Sequence, residues 1–149
     1  MGEYTYRLSF SADHDSMDLS ILPQTLGVVA DRLWKLGDTR KAPNGRVQGG
    51  NYKYSYCSID MPAASADVEL TALMSKLLGN LELHREFLNR LAADGVKFKF
   101  FVGWFSDFNS RDVFDWRLLG RMADLKISLD IDFYGPDDSR EVSPTTESN

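Results

Sequence analysis

The chain has 149 residues, of which 43% are hydrophobic and 26% are charged, a composition that is typical of one globular domain and excludes a disordered chain. Its formal net charge of −5 argues against a nucleic-acid partner, because such affinity comes largely from neutralising phosphates with Lys and Arg. The single cysteine, Cys57, excludes an internal disulfide and a cysteine-based zinc site.

Neither a targeting segment nor a membrane span is recognisable in the sequence. The first ten residues, MGEYTYRLSF, carry Glu3 and Arg7 and lack the long apolar core of a secretory signal. No apolar run approaches the ~20 residues that a membrane helix needs. Together with the lone cysteine, these features predict a cytoplasmic protein without a membrane partner.

The first third of the chain alternates between predicted strands and irregular segments. Residues 3–11 alternate apolar and polar side chains, as a half-buried strand does, and a polar turn is predicted at 12–18. A short helix is predicted from Asp18 to Leu26, and the state of residues 28–36 stays open. Residues 37–50 contain four glycines and an Asn-Gly pair, so they are predicted to form a loop.

The rest of the chain predicts strands and helices in turn. Residues 51–61 read as a strand, and a helix with an apolar stripe is predicted from Ser65, a suitable N-cap. Gly79 and Asn80 are expected to break or bend that helix before the chain continues helically to Gly95, which is expected to be the C′ glycine. A strand, a helix capped by Ser110 and a last strand then follow, at residues 96–104, 110–125 and 127–135. The inward side chains of the last helix are predicted to be Phe114, Leu118, Met122 and Leu125.

Each predicted strand has one polar side, which indicates a sheet with helices on one face and water on the other. Residues 1–135 are therefore expected to form a single α+β domain. We predict a two-layer sandwich in which a mixed, mostly antiparallel sheet of about four or five strands carries helices on one face. The polar segment 136–149 is predicted to be a disordered tail.

Two acidic residues in the last strand, Asp130 and Asp132, form the first candidate site. Paired carboxylates can serve acid–base chemistry or hold a hard cation. The simpler interpretation is a polar strand face, shared with Tyr134, that lies opposite Lys97 and Lys99 of a neighbouring strand.

Residues 37–50 are the second candidate, because Arg40, Lys41 and Arg46 make this segment basic in an acidic protein. Such a loop could recognise an anion or a protein partner, or it could be a tolerated surface excursion. Next to it, Tyr52, Tyr54 and Tyr56 share one strand face. They are either core residues or an exposed platform for a protein partner.

Motifs of enzymes and of nucleic-acid binders are missing from the sequence. GxSxG, HExxH, P-loop and GxGxxG patterns do not occur. The stretch KFKFFVGW is only superficially similar to an RNA-binding strand, because it lacks both glycines of that motif. His14, flanked by two aspartates, fits a polar turn better than a metal site. We assign no catalytic residue, no metal and no cofactor.

Three stretches resemble, in this order, the bacterial family of unknown function DUF4279: LGVVADRLWKLGDTR (26–40), VELTALMSKLLGNLELHREFLNRLAADG (68–95) and LLGRMADLKISLDIDFYG (118–135). Gly37, Asp38 and Arg40 match a loop of that family, and its closing strand is matched by Leu129, Asp130, Ile131, Asp132 and Tyr134. The chain departs from the family at VVADRL, where a proline is frequent, and at YKYSYCSI, which lacks the family's tryptophan. The resemblance implies a small bacterial domain without an established activity, related to domains near toxin systems that are thought to be immunity-like binders.

Two functions follow as hypotheses. The leading one is a non-enzymatic, immunity-like or regulatory module that binds a protein partner. Its candidate binding residues are Gly37, Asp38, Arg40, Arg46, Asp130, Asp132 and Tyr134. The alternative is an enzyme or small-ligand binder, which needs the charged residues of the 37–50 loop and the 129–134 strand to converge in one pocket. A homo-oligomer that buries the tyrosines by symmetry also stays open.

Overall fold

The computed structural model describes residues 3–62 and 68–136, which form seven strands and four helices. In chain order the elements are β1 (Thr5–His14), α1 (Ile21–Leu26), β2 (Arg32–Trp34), β3 (Thr39–Lys41), β4 (Val47–Asn51), β5 (Ser55–Asp60), α2 (Leu70–Glu82), α3 (Arg85–Ala93), β6 (Lys97–Phe105), α4 (Trp116–Asp124) and β7 (Ile127–Tyr134). Five strands form one sheet in the order β2-β5-β1-β6-β7, and β3 pairs with β4 in a separate hairpin. The predicted α+β class and the mixed, mostly antiparallel sheet are confirmed.

One face of the sheet packs against the helices. Phe10 of β1 and Phe100 of β6 are 1% and 0% exposed, and they share a core cluster with buried leucines and methionines of all four helices. The apolar stripe predicted for α2 is part of this core, with Leu70, Met74 and Leu78 fully buried. The hydrophobic effect therefore holds the two layers together.

The last three elements form a crossover. Strand β6 pairs with β7 in parallel, with Phe101 aligned to Asp130, and α4 lies between the two strands in the chain. A parallel pair needs such a connection, and β7 is an edge strand of the sheet. At this edge Phe133 is 68% exposed, although strand alternation predicts a core position for it.

The helix starts differ from the sequence prediction. Helix α2 begins at Leu70, after an extended Glu69, whereas the predicted cap Ser65 lies outside the described residues. Gly79 does not break α2, which continues to Glu82, because flanking leucines bury enough apolar surface to offset the ~1 kcal/mol cost of a helical glycine. The α-helix ends later, after Glu82, where the N–H groups of Leu83 and His84 bond to the carbonyls of Asn80 and Leu81.

Helix α4 has a different cap from the predicted Ser110. The carboxylate of Asp115 accepts a hydrogen bond from the Leu118 N–H at 2.9 Å, which is the geometry of an N-cap. The Ser110 hydroxyl instead accepts a hydrogen bond of 2.9 Å from Trp104 Nε1. Leu118, Met122 and Leu125 are buried as predicted, whereas Phe114 precedes the helix and is only partly buried.

Two segments before β3 are more ordered than the sequence indicates. Strand β1 runs on through His14, which aligns with Ser55 of β5, so the predicted polar turn starts too early. The segment of open state, 28–36, contributes β2, in which Trp34 aligns with Tyr56. The predicted tail, 136–149, falls outside the described residues from position 137 onward.

Candidate functional site: a basic hairpin beside an aromatic cluster

The segment predicted as a loop, 37–50, forms a β-hairpin. Its turn is closed by hydrogen bonds from the Ala42 N–H to the Arg46 carbonyl (2.7 Å) and from the Gly45 N–H to the Ala42 carbonyl (2.8 Å). Gly45 follows Pro43 and Asn44, the two central residues of this turn, and has a φ of +87°, a conformation that glycine adopts without steric cost. The Asn-Gly pair was the available sequence signal for a hairpin turn. The glycines at 49 and 50 obscure the alternating pattern that would have identified β4 as a strand.

The base of the hairpin is fixed by two of the predicted site residues. The Gly37 N–H donates to the Tyr52 carbonyl, and the Tyr52 N–H donates to the Asp38 carbonyl, both at 2.9 Å. Asp38 Oδ2 also accepts a hydrogen bond of 2.9 Å from the Lys35 N–H. Gly37 has a φ of +91°, a conformation that disfavours any residue with a Cβ. Gly37 and Asp38 therefore shape the base of the hairpin.

Four aromatic side chains cluster where the hairpin meets the sheet. Trp34 stacks on Tyr52 with centroids 4.0 Å apart and on Tyr56 at 4.7 Å, and it meets Tyr54 edge-on at 5.9 Å. These side chains lie on the face away from the core, because their neighbour Cys57 points into the core and is 0% exposed. Tyr54 itself is 43% exposed. The tyrosines thus belong to a surface cluster, one of the two interpretations left open by the sequence.

We call residues 31–56 the hairpin lobe. It has six basic and two acidic side chains, a net charge of +4 in a protein of net charge −5. Both carboxylates accept backbone hydrogen bonds: Asp38 from Lys35 and Asp31 from the Asp60 N–H at 2.6 Å. None of the six cations takes part in an ion pair within residues 3–62 and 68–136. The lobe is therefore a positive surface that the described part of the chain does not neutralise.

The lobe is also open to solvent. Every residue of β3 and β4 is exposed, including Val47 at 66%. The Arg40 guanidinium lies 6.0 Å from the ring centroid of Tyr52, at the limit of a cation–π contact. Arg46 lies in the turn, where its N–H bonds to Asn44 Oδ1 at 3.0 Å. Arg40 and Arg46 thus belong to the same hairpin as Gly37 and Asp38, with Arg46 in its turn and Gly37 and Asp38 at its base.

The other predicted site residues lie at the far edge of the sheet. Asp130, Asp132 and Tyr134 belong to β7, and β2, which is part of the lobe, is the strand at the opposite edge. Four strand spacings separate the two edges, roughly 19 Å. The structure therefore does not bring the two halves of the predicted site into one pocket.

The carboxylates of β7 are engaged locally. Asp130 Oδ2 lies 3.1 Å from Lys99 Nζ, as predicted for that pair. Asp132 accepts a 2.7 Å hydrogen bond from the Tyr134 hydroxyl, which raises the pKa of Tyr134, and it aligns with Gly103. Lys97 aligns with Asp13 of β1 instead. This face is a polar sheet surface with side-chain pairs.

His14 has a structural role at the end of β1. Its Nδ1 accepts hydrogen bonds from the N–H groups of Ser16 (2.9 Å) and Met17 (2.8 Å). Its Nε2 lies 2.9 Å from the Asp94 carbonyl, and because a carbonyl only accepts, Nε2 must carry the proton. Both ring nitrogens are therefore occupied. Across the described residues, no group of three or more His, Cys, Asp or Glu side chains is placed to hold a metal ion.

The fold and the site define a small α+β domain that presents an exposed, positively charged hairpin beside an aromatic cluster. The chain belongs to the family described as Domain of unknown function (DUF4279), whose sequence profile matches residues 3–136. This confirms the resemblance seen in the sequence. No curated protein and no solved structure matches the chain. Among the described residues, no helix is long and apolar enough to cross a membrane.

Proposed function

We propose that the protein is a non-enzymatic binding module with an immunity-like or regulatory role, and that it recognises a protein partner through the hairpin lobe. The observation that carries this proposal is the juxtaposition of the aromatic cluster around Trp34 with six cations that form no ion pair in the described residues. Trp, Tyr and Arg are the side chains that contribute most to binding at protein interfaces.

The lobe is also ordered before it binds. The hydrogen bonds at Gly37 and Tyr52 hold the hairpin base, and the Trp34–Tyr52 stack attaches the hairpin to β2. Stacked aromatic rings lose little conformational entropy when a partner covers them, so more of the contact energy remains for affinity. A preformed surface of this kind suits stable recognition of one partner.

A second candidate function is the binding of a small ligand, which is favoured by a cleft of about 570 Å³ between β2 and the hairpin. Its volume falls in the range of small-molecule sites, and Asp38, Thr39 and Lys41 supply polar groups at its wall. The alternative hypothesis thus retains its hairpin half, without the carboxylates of β7. A small ligand would bind the isolated protein with no requirement for the surrounding basic surface.

Affinity capture from a lysate of the source organism tests the leading proposal. The bait pair is the double variant Arg40→Glu/Arg46→Glu and a matched control, Lys76→Glu/Arg111→Glu, whose positions are exposed and outside the lobe. We expect wild-type protein and the control to retain one stoichiometric partner. The affinity of the lobe variant for that partner should fall at least about ten-fold, which corresponds to ~1.4 kcal/mol of binding free energy. Equal capture by both variants, or no partner under several growth conditions, would contradict the proposal.

A further inference from the structure

The cleft between the sheet and the hairpin has the features of a site for an extended chain. Leu33 and Trp34 of β2 line one side, and Lys41 of β3 and Val47 of β4 line the other. Strand β2 is the outermost strand of its sheet, so within the described residues no strand lies beside its outer edge. Unpaired strand edges bind extended segments through main-chain hydrogen bonds.

The lining of the cleft combines an apolar seat with positive charge. Leu33 is 45% exposed and Val47 is 66% exposed, so two large aliphatic side chains meet water at this place. Lys41 lines the same cleft, and the neighbouring Arg40 lies over Tyr52. The Asp38 carboxylate also lines the cleft, but its single negative charge is outnumbered by the two cations Lys41 and Arg40.

Resting on the proposed function, we propose that this cleft binds an extended acidic segment of the partner protein. An aliphatic or aromatic side chain of that segment sits between Leu33 and Val47. Asp or Glu residues on either side of it pair with Lys41 and Arg40. Charge complementarity argues for an acidic occupant, because the lobe carries +4 and like charges across an interface are strongly unfavourable.

A single-stranded nucleic acid is a weaker fit to the same surface. Such ligands need aromatic faces on which bases stack. Trp34 already stacks on both Tyr52 and Tyr56, so its ring is engaged within the cluster. An acidic peptide needs no free aromatic face, only the cations and the apolar seat.

Selection of linear 12-residue peptides from a phage library on the wild-type protein tests this proposal. We expect enriched peptides in which Asp or Glu flanks an aliphatic or aromatic residue. A synthetic copy of the strongest peptide, labelled with fluorescein, is then titrated by fluorescence anisotropy. The Val47→Glu and Lys41→Glu variants should weaken its binding at least about ten-fold, whereas Val113→Glu and Lys76→Glu, which are exposed elsewhere, should change it less than about two-fold.

Several results would overturn the proposal. Enrichment of neutral or basic peptides would do so, as would no enrichment, or equal binding by Val47→Glu and Val113→Glu. Tighter binding of a fluorescein-labelled dT12 oligonucleotide than of the selected peptide would indicate a nucleic-acid surface. If the peptides fail while Arg40→Glu/Arg46→Glu still loses its captured partner, the acidic-segment inference is wrong and the proposed function stands. If both fail, the lobe is not a recognition surface.

Discussion

The indole of Trp34 stacks on the ring of Tyr52 at 4.0 Å, with the two planes only 9° apart. Trp34 belongs to the outermost strand of the sheet, and Tyr52 lies at the base of the hairpin. One contact thus joins the edge of the five-stranded sheet to the hairpin. The orientation of the hairpin depends on this stack together with the hydrogen bonds between Tyr52 and the segment Gly37–Asp38.

Replacing Trp34 by alanine should loosen the hairpin without unfolding the sheet. Loss of the stacked pair and of partly buried aromatic surface should lower the free energy of unfolding by about 2 kcal/mol. Hydrogen exchange of the Gly37 and Tyr52 amides should accelerate, while the amides of β1 stay protected. Trp34→Phe, which keeps a ring, is the control. Unchanged exchange at Gly37 in Trp34→Ala would show that the stack does not hold the hairpin.

Arg121 clamps α4 onto α2. Its guanidinium donates to both carboxylate oxygens of Glu82 at 2.9 and 3.0 Å, and to Ser75 Oγ at 2.7 Å. Because lysine cannot form this fork, Arg121→Lys should rescue little of the loss in Arg121→Ala. The Arg121 and Glu82 side chains are about a third exposed. We therefore expect Arg121→Ala to lower the free energy of unfolding, measured in urea, by about 1–2 kcal/mol. Full stability in Arg121→Lys would contradict the clamp.

The same clamp predicts a pH dependence. The hydrogen bond from Arg121 lowers the pKa of Glu82 in the folded protein. A lowered folded-state pKa contributes stability that is present above the unfolded-state value and lost as the pH falls through the folded-state value. Wild-type protein should therefore lose this contribution below about pH 4.5, and Glu82→Gln should lack that part of the acid slope. Identical slopes for the two proteins would rule out the linkage.

Cys57 should be inert in the folded protein. Its side chain is 0% exposed, and burial raises the pKa of its thiol to about 11. At neutral pH a reagent therefore cannot reach the sulfur, and almost none of the thiol is ionised to the reactive thiolate. Ellman's reagent should react with one thiol in urea and with none in native buffer at pH 8. The raised pKa also predicts that stability falls as the pH rises above about 9. Fast labelling of native protein would contradict the packing of β5.

The two candidate caps of α4 should differ in their effect. Asp115→Ala removes a side-chain hydrogen bond to the Leu118 N–H and should cost about 1 kcal/mol. Asp115→Asn and Asp115→Ser, which still cap, should recover most of it. Ser110→Ala should instead alter the fluorescence of Trp104, whose indole N–H loses its acceptor, with helix content unchanged. Loss of helix signal in Ser110→Ala would restore the sequence-based cap.

The ion pair between Lys99 and Asp130 should contribute little to stability. Its side chains are 38% and 45% exposed, so a double-mutant cycle with Lys99→Met and Asp130→Asn should give a coupling energy of about 0.5 kcal/mol that falls in 1 M salt. A salt-independent coupling above about 2 kcal/mol would show that these residues interact in a more buried setting.

The sequence predicts the two layers of this fold well, because apolar residues recur along strands and helices at the spacing of their buried positions. Phe98 and Phe100 alternate with Lys97 and Lys99, and the structure buries the former and exposes or half-exposes the latter. Likewise, the helical spacing from Leu70 to Leu81 identifies the buried face of α2. Such patterns follow from the local geometry of strands and helices.

The site is harder to predict because it depends on neighbours that are distant in the chain. Nothing in the local sequence indicates that the Ser110 hydroxyl accepts a hydrogen bond from Trp104, or that Trp34 stacks on Tyr52. The order of the strands, which separates β7 from the hairpin by the whole width of the sheet, is likewise a tertiary property. The basic charge of residues 37–50 and the three tyrosines at 52, 54 and 56 can be read from the sequence, but their spatial arrangement cannot.

Site-specific photocrosslinking in the source organism is the most direct test of the hairpin lobe as the recognition surface. Benzoylphenylalanine replaces Tyr54, which is 43% exposed in the aromatic cluster, or Phe133, which is 68% exposed at the opposite edge of the sheet. The proposal predicts one discrete crosslinked protein partner from position 54 and none from position 133. A discrete partner from position 133 with none from position 54 would contradict it.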